Sequence, residues 1–340
     1  MRWKPAIAVS VNGQDVSGVF LPRVASITIT DTAGLQSDSV DIVLTDANPL
    51  ARLAIPPTGA EVVVALGYGF PTSIVGTYVV DEVEVDGPPD RLRLRAFAST
   101  HGAGDGGQNP ISEQRTRSWP DGTTVATLVE TIAGEAGFTA AVSAAAGEIV
   151  PPHIDQIAES DMALLTRIAR DNGLVFKPGG GALVMVQAGE STSANGEALP
   201  VVALQRSDVS RWAMRIARRE PAATVVASWH DTDAAETVDV EATGNPGDVA
   251  GVTQVRRLRR PFADEASAQR AAQAEADRGS RAAKTLTLNL PGRADLTAEG
   301  RLDLTGFRPG VDGEWLIRQV VHQIDAGGWR STVEAELPPA

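Results

Sequence analysis

From Ile7 to Ser99 apolar and polar positions alternate in short runs. Ile7-Ala-Val9-Ser-Val11 leads into the hairpin signal Asn12-Gly13 and then Val16 to Val19. Ala25-Ser-Ile27-Thr-Ile29-Thr30 and Ser39-Val40-Asp-Ile42-Val-Leu44-Thr45 follow with period two, the pattern of a strand that buries one face. Glu61 to Leu66, Gly76 to Val85 and Arg91 to Ala98 complete the set. About six or seven short strands in about a hundred residues predict a closed or nearly closed β-barrel.

The glycine-rich stretch His101 to Pro110 breaks this pattern, and the period then changes. Thr123 to Ala136 places Val125, Leu128, Val129, Ile132 and Ala136 on one helical face, with Gly137 where a left-handed stop is wanted. Ser160 can cap a second helix that turns Met162, Leu165, Ile168 and Ala169 inward and stops at Gly173. Leu174-Val-Phe176 and Ala182-Leu-Val-Met-Val186, joined through Pro178-Gly-Gly-Gly181, read as a hairpin. Beyond the polar loop Glu190 to Glu197, strands resume at Thr224 to Trp229 and Val252 to Leu258. Pro261 to Ala283 is alanine-rich and helical by propensity, and Lys284-Thr-Leu286-Thr-Leu288-Asn-Leu290 is a clean alternating strand. The expected organisation is mainly β with an α+β insert. A first β-barrel module spans 1–105, an α+β domain of two helices and a hairpin 106–200, and a second β-barrel module 201–340, with a helix near 262–283.

The two outer modules carry one pattern. Gly76-Thr-Tyr78-Val79-Val80 with Val83 aligns with Gly313-Glu-Trp315-Leu316-Ile317 with Val320. At constant offset, Arg93 and Ala98 fall opposite Arg330 and Ala335, and each copy follows a strand ending in glycine and an aromatic, Gly67-Tyr68 and Gly306-Phe307. This is a duplication separated by a long insert.

Aromatics are only 4% of the chain, so its cores must pack small aliphatic side chains. Thirty basic residues against 43 acidic ones give −13, which argues against general nucleic-acid binding. With no cysteine there is no disulfide framework and no thiolate nucleophile. The start, Met1-Arg-Trp-Lys-Pro5, does not read as a signal peptide, and no apolar run approaches the ~20 residues of a spanning helix, so no membrane anchor is expected.

Motifs for chemistry are weak. Gly102-Ala-Gly104-Asp-Gly106-Gly107 matches a dinucleotide-loop pattern, yet Asn109-Pro110 follows where a helix must open, and a linker explains it. Phosphate-loop, GxSxG and HExxH patterns are absent. Glu82, Glu84 and Asp86 could be imagined as carboxylates of a β-barrel carbohydrate hydrolase, but alternation with Val83 and Val85 is what a solvated strand shows. Of the histidines at 101, 153, 230 and 322, only His230-Asp231-Thr-Asp233 has ligand-type neighbours, and a hydrogen-bonded turn accounts for them. No catalytic, cofactor or metal site is therefore expected. The sharpest charge feature is Arg256, Arg257, Arg259 and Arg260, with Arg215, Arg218 and Arg219 upstream. These four are the candidate inter-subunit or partner contacts; the readings left open are DNA, an acidic partner, a solvated edge, or pairing within or between subunits.

Arg117-Ser118-Trp119, His153-Ile-Asp155-Gln156 and Glu159-Ser160-Asp161 with Leu165, Arg167 and Ala169, together with Gly34, Ser37-Asp38, Asp41-Ile42-Val-Leu44 and Gly306-Phe-Arg-Pro-Gly310 with Asp312-Gly-Glu-Trp315, closely resemble the late-control D family. These are tail proteins of contractile-tailed temperate phages, and the resemblance covers essentially the whole chain. It implies a structural baseplate hub rather than an enzyme, similar to the hub part of type VI secretion VgrG spikes. It further implies a homotrimer whose paired barrels form a pseudo-sixfold ring joining a sixfold tail tube to a trimeric spike. Expected partners are the spike, the tail tube or distal tube protein, the tape-measure protein and baseplate wedge proteins. The setting implied is the virion tail, assembled in the host cytoplasm, with a channel for DNA; from the charge, three chains at −13 each would carry −39, and acidic residues lining that lumen would let DNA or ejected proteins pass without sticking. The same hub role in a tail-derived bacteriocin or contractile injection system is the alternative.

Overall fold

In the computed structural model, residues 5–34, 38–48, 50–69, 71–98, 110–179, 181–191, 198–199, 201–217, 222–244 and 253–338 are described. The alternating N-terminal pattern folds as β1 (Ala6–Val11), β2 (Gln14–Asp15), β3 (Val24–Thr32), β4 (Ser39–Thr45), β5 (Glu61–Gly67), β6 (Ser73–Asp86) and β7 (Arg91–Ala98). Val16 to Val19, expected as strand, instead runs into the short helix α1 (Ser17–Phe20), whose Phe20 enters the core. The strands lie in the order β3-β4-β7-β6-β5-β1-β2 and roll around one core that holds Val9, Ile27, Ile42, Val64, Tyr78 and Leu94. The helical segment 17–23 links the two ends of the roll. The barrel is thus nearly closed.

The middle segment supplies β8 (Gln114–Trp119), α2 (Val125–Ala136), β9 (Thr139–Val142), α3 (Ala144–Gly147), β10 (Ile154–Ser160), α4 (Asp161–Asp171), β11 (Leu174–Gly179) and β12 (Ala182–Gln187). The predicted inward face of α2 is buried, and Gly137 terminates it with φ +76°. Ser160 caps α4 by accepting a hydrogen bond from the Ala163 amide. The β11–β12 hairpin forms as its pattern requires, with Phe176 opposite Met185, and β9 adds a parallel third strand. Helices and strands share one apolar core.

The last third contains β13 (Val201–Gln205), β14 (Arg211–Ile216), β15 (Thr224–Asp231), β16 (Glu236–Thr243), β17 (Val255–Phe262), α5 (Glu265–Arg281), β18 (Lys284–Pro291), β19 (Arg301–Thr305), β20 (Gly313–Asp325) and β21 (Gly328–Glu336). Within the span 201–340, β15 to β17 pair only among themselves and are covered by α5 over a core of alanines and valines. They form a sheet-and-helix unit inserted between β14 and β18 rather than walls of the second barrel. The helix also starts later than its composition indicates, because Pro261 and Phe262 finish β17 and Asp264 caps α5 through the Ser267 amide.

The duplication is visible in the ladders. In the first module, β6 pairs β5 and β7, β7 pairs β4, and β4 pairs β3. In the second, β20 pairs β19 and β21, β21 pairs β18, and β18 pairs β14. Val62 faces Tyr78 as Leu302 faces Trp315, and Ile42 faces Leu94 as Leu288 faces Val333. A bulge falls after Val80 in one copy and after Ile317 in the other. Val80 exchanges hydrogen bonds with Gly59 and Ala60 as Ile317 does with Glu299 and Gly300. One feature of the sequence alignment is corrected. Asp86 pairs with Arg91 but Gln323 with Arg330, so the second hairpin is longer by two residues, and Arg91 rather than Arg93 corresponds to Arg330. Ala96 likewise, rather than Ala98, corresponds to Ala335. A shift of two keeps every side chain on its face, which is why an ungapped alignment still looks sound.

The two modules are joined edge to edge. The second half of β20 lies antiparallel to β3, with Gln319 opposite Thr32 and Asp325 opposite Ser26, so one continuous sheet runs through both. Ile324 and Trp329, at the tip of the β20–β21 hairpin, pack into the first module's core.

Candidate assembly surfaces

The motif residues of the middle domain form a polar knot. Arg117 on β8 donates from Nε to Gln156 Oε1 at 2.9 Å and from its terminal nitrogens to Asp161 at 2.8 Å and Glu135 at 2.8 Å. Gln156, fully buried, passes its amide to Asp161 and to the Glu159 carbonyl, both at 2.8 Å. Arg167 grips Glu159 with two nitrogens at 3.0 and 2.7 Å, and the Arg117 guanidinium lies 4.2 Å from the Trp119 ring centroid. Each buried carboxylate therefore has a fixed cation, as burial demands. These residues tie β8 and β10 to α2 and α4; they are structural. At the exposed end, His153 sits 2.7 Å from Asp121 and 3.1 Å from Ser118, and its hydrogen bond to Asp121 raises its pKa.

A second polar cluster sits where three parts of the chain meet. Lys177 on β11 reaches Asp31 of β3 at 2.7 Å and Asp38 at 2.9 Å, while the other Asp31 oxygen accepts from the Ala298 amide at 2.8 Å. Burial alone would raise Asp31, but the Lys177 charge and these hydrogen bonds hold it below the usual carboxylate range. Burial and the neighbouring Asp31 push Asp38 up to about 6. The Lys177 ammonium, disfavoured by burial, is held well above its ordinary pKa by the two carboxylates. Sequence reading misses this latch because its members are far apart in the chain. The available signal is that the chain has only three lysines among its 30 basic residues.

The arginines singled out from sequence lie on β17, an edge strand of the inserted sheet. Arg256 pairs with Glu275 of α5 at 2.6 Å and Arg257 with Asp239 of β16 at 2.8 Å. Arg260 pairs with Asp171 at the end of α4 and lies over Phe262. Arg259 is exposed and forms no ion pair among the described residues. All four remain partly or fully exposed, so the strand offers a guanidinium-rich surface even though three of the four have internal partners.

The other candidates resolve into ordinary structure. Glu82, Glu84 and Asp86 stand exposed on β6 opposite Arg95, Arg93 and Arg91, with Glu82 and Arg95 at 3.2 Å. Asp231 accepts from the amides of Asp233 and Ala234, closing the turn after His230. No group of histidines and carboxylates fit to hold a metal occurs among the described residues. No helix of those residues is long and apolar enough to cross a membrane. The glycine-rich match at 102–107 and Arg218 and Arg219 lie outside the described residues. An open groove of about 1400 Å³ runs between the modules, lined by Ile7, Leu21, Val24, Tyr68, Ile324 and Trp329 among others.

Comparison with known proteins agrees with this architecture. The profile of a family described as "Phage tail baseplate hub (GPD)" matches residues 112–328, which include the polar knot, the latch lysine and β20. A probable baseplate hub protein of Escherichia phage 186 is 31% identical over 98% of this chain and 93% of its own length. Its counterpart in Escherichia phage P2 is 30% identical over the same shares. Among solved structures, the 43 kDa tail protein of prophage MuSo2 from Shewanella oneidensis superposes with a TM-score of 0.71 at 17% identity, over 98% of both chains. A Francisella PdpA–VgrG complex chain gives 0.59 at 6% identity, over 99% of this chain and 59% of that one.

Proposed function

Because this chain belongs to the phage tail baseplate hub family, we propose that it works as a homotrimer whose six barrel modules form a pseudo-sixfold ring between the sixfold tail tube and the trimeric spike. As a baseplate hub it is a structural component of the virion tail and not an enzyme. The observation that carries the trimer is the duplication at the level of ladders, bulges and core positions. Two equivalent walls per chain give six in a trimer, so one face can match a sixfold partner while the true symmetry seats a threefold one.

In this reading the tube or distal tube protein meets one end of the ring and the spike the other. The tape-measure protein, wedge proteins and the arginine strand Arg256, Arg257, Arg259 and Arg260 provide further contacts. The face of the continuous sheet turned away from the cores lines the channel. It carries short polar side chains such as Thr28, Thr30, Thr285 and Thr287, and in the first module Asp41, Glu82, Glu84 and Asp86 stand against Arg91, Arg93 and Arg95. Such a surface, on a chain carrying −13, offers DNA no net attraction as it passes. Assembly takes place in the host cytoplasm.

Electron-microscopy class averages of the purified chain test this. A threefold ring with six similar lobes and a central hole is the expected result. Compact particles without a hole, both alone and with the trimeric spike added, would overturn it.

A further inference from the structure

The seam between the two modules of one chain is a strand ladder: Val320 stands opposite Asp31, His322 opposite Ile29 and Ile324 opposite Ile27. The duplication gives both strands of that seam a counterpart, since β6 corresponds to β20 and β14 to β3. Each counterpart has an edge at which no strand pairs among the described residues. On β6 it is the stretch beyond Val80, where β5 has ended. On β14 it is the side away from β18, where the sheet stops. Within one chain these edges do not pair: β7, β4, β3, β20, β21 and β18 lie between them along the sheet. At 4.7–4.9 Å per strand that is roughly 34 Å of sheet.

We infer that β14 of one copy pairs antiparallel with the second half of β6 of the next copy, in the register of the internal seam. Carrying the ladder across residue by residue puts Val83 opposite Ile216, Glu84 opposite Arg215, Val85 opposite Met214 and Asp86 opposite Ala213. The chemistry of the two edges agrees with this. Val85 is 52% and Ile216 55% exposed in the single chain, and both sit on the face that the seam turns to the core. Covering them removes apolar surface from water. The acidic β6 edge faces a strand bearing Arg211 and Arg215. A slip of one residue would turn these side chains to the wrong face. A slip of two would still leave Arg215 opposite Glu82 or Asp86, so charge alone does not select the register; the duplicated ladder selects Glu84.

The two seams differ in what fastens them. Inside the chain, Asp31 is held by Lys177 and the Ala298 amide. Between copies, Ile216 takes the place of Asp31, and the contact is apolar there. The edges that meet are different strands, so the interface is heterologous and runs head to tail, closing on itself at three copies. Only that number of copies rests on the trimer proposed above.

The absence of cysteine from the chain makes the test direct. Glu84→Cys combined with Arg215→Cys introduces two thiols at exposed positions, on strands whose directly opposed Cα atoms lie ~4.5–5.5 Å apart, within disulfide reach. Under mild oxidation the expected products are covalent dimers and closed trimers on a non-reducing gel, absent from either single variant. A register-shifted pair, Glu84→Cys with Ala213→Cys, places its Cα atoms roughly 8 Å apart, and at least about tenfold less cross-link is expected. Native mass measured on the same samples separates the two ideas. Trimers that cross-link equally well at the shifted pair, or at neither pair, overturn the register and leave the ring intact. Monomers throughout, with and without the spike protein, overturn both.

Discussion

Replacing His322 with asparagine should flatten the acid limb of this protein's stability curve. His322 lies on β20 at the seam, 2% exposed, with Nδ1 2.8 Å from Ser331 Oγ and its ring edge-on to Trp329. Burial pushes its pKa down to about 4 from an ordinary 6.5, although Asp31 and Asp295 pull the other way. Between those values the unfolded chain takes up a proton that the folded chain refuses. Stability is therefore complete above pH 6.5 and falls as pH drops toward 4. At about 1.4 kcal/mol per pKa unit, the loss at pH 4 comes to about 3 kcal/mol. Asp38 works with the opposite sign. Its folded pKa is raised to about 6, so the folded chain holds a proton that the unfolded chain has released, and its contribution declines as pH rises from about 4 to 6. A wild-type profile alone sums the two slopes, so the informative quantity is the difference between proteins. Urea unfolding at pH 7.5, 6.5, 5.5 and 4 should show the wild-type advantage over His322→Asn shrinking by about 3 kcal/mol across the range. A difference that stays constant would refute the assignment of a buried, neutral histidine.

Two further outcomes are expected. Arg117→Met strands the Asp161 carboxylate, which is 1% exposed, and should destabilise the chain by about 3–5 kcal/mol in denaturant unfolding; a loss under about 1 kcal/mol would show that Arg115, 3.5 Å away, suffices. Arg259→Glu with Arg260→Glu should reduce the assembled fraction seen by mass measurement. Arg259→Glu alone should do so with little change in unfolding midpoint, because that side chain has no ion pair among the described residues to lose; normal assembly with lost DNA retention would point instead to a nucleic-acid surface.

The parts legible in sequence were those in which a local rule governs. Period two marked β3, β4, β7 and β18; period 3.6 with Gly137 and Ser160 fixed α2 and α4. The duplication could be read from Gly76-Thr-Tyr78 and Gly313-Glu-Trp315 because these residues occupy corresponding positions on corresponding strands, two to four residues ahead of a shared bulge. The separation of β15 to β17 from the second barrel was not legible, since alternation says that a strand has a buried face and not which core the face meets. Residues 17–20 look apolar enough for a strand, yet the short connection from β2 to β3 turns there as a helical segment. Lys177 with Asp31 and Asp38 is a contact between distant segments, beyond any window of periodicity. The arginines of β17 were visible as charge, while their partners Glu275, Asp239 and Asp171 became visible only once α5, β16 and α4 had packed around them.

The strand that flanks β5 in the first module and the one that flanks β19 in the second are oriented differently. β1 runs antiparallel to β5, whereas β13, in the corresponding position, runs parallel to β19, with Val202 beside Leu302 where Val11 stands beside Val62. An alternating strand is a palindrome: read from either end it offers the same apolar teeth to the core, so its direction can be inverted without recutting the packing. The entrances to the two modules consequently lie at opposite ends of otherwise matching walls. The first strand of the second module is thereby free to run with its neighbour, while the middle domain stays fastened to the seam of the two modules through Lys177, Asp31 and Asp38.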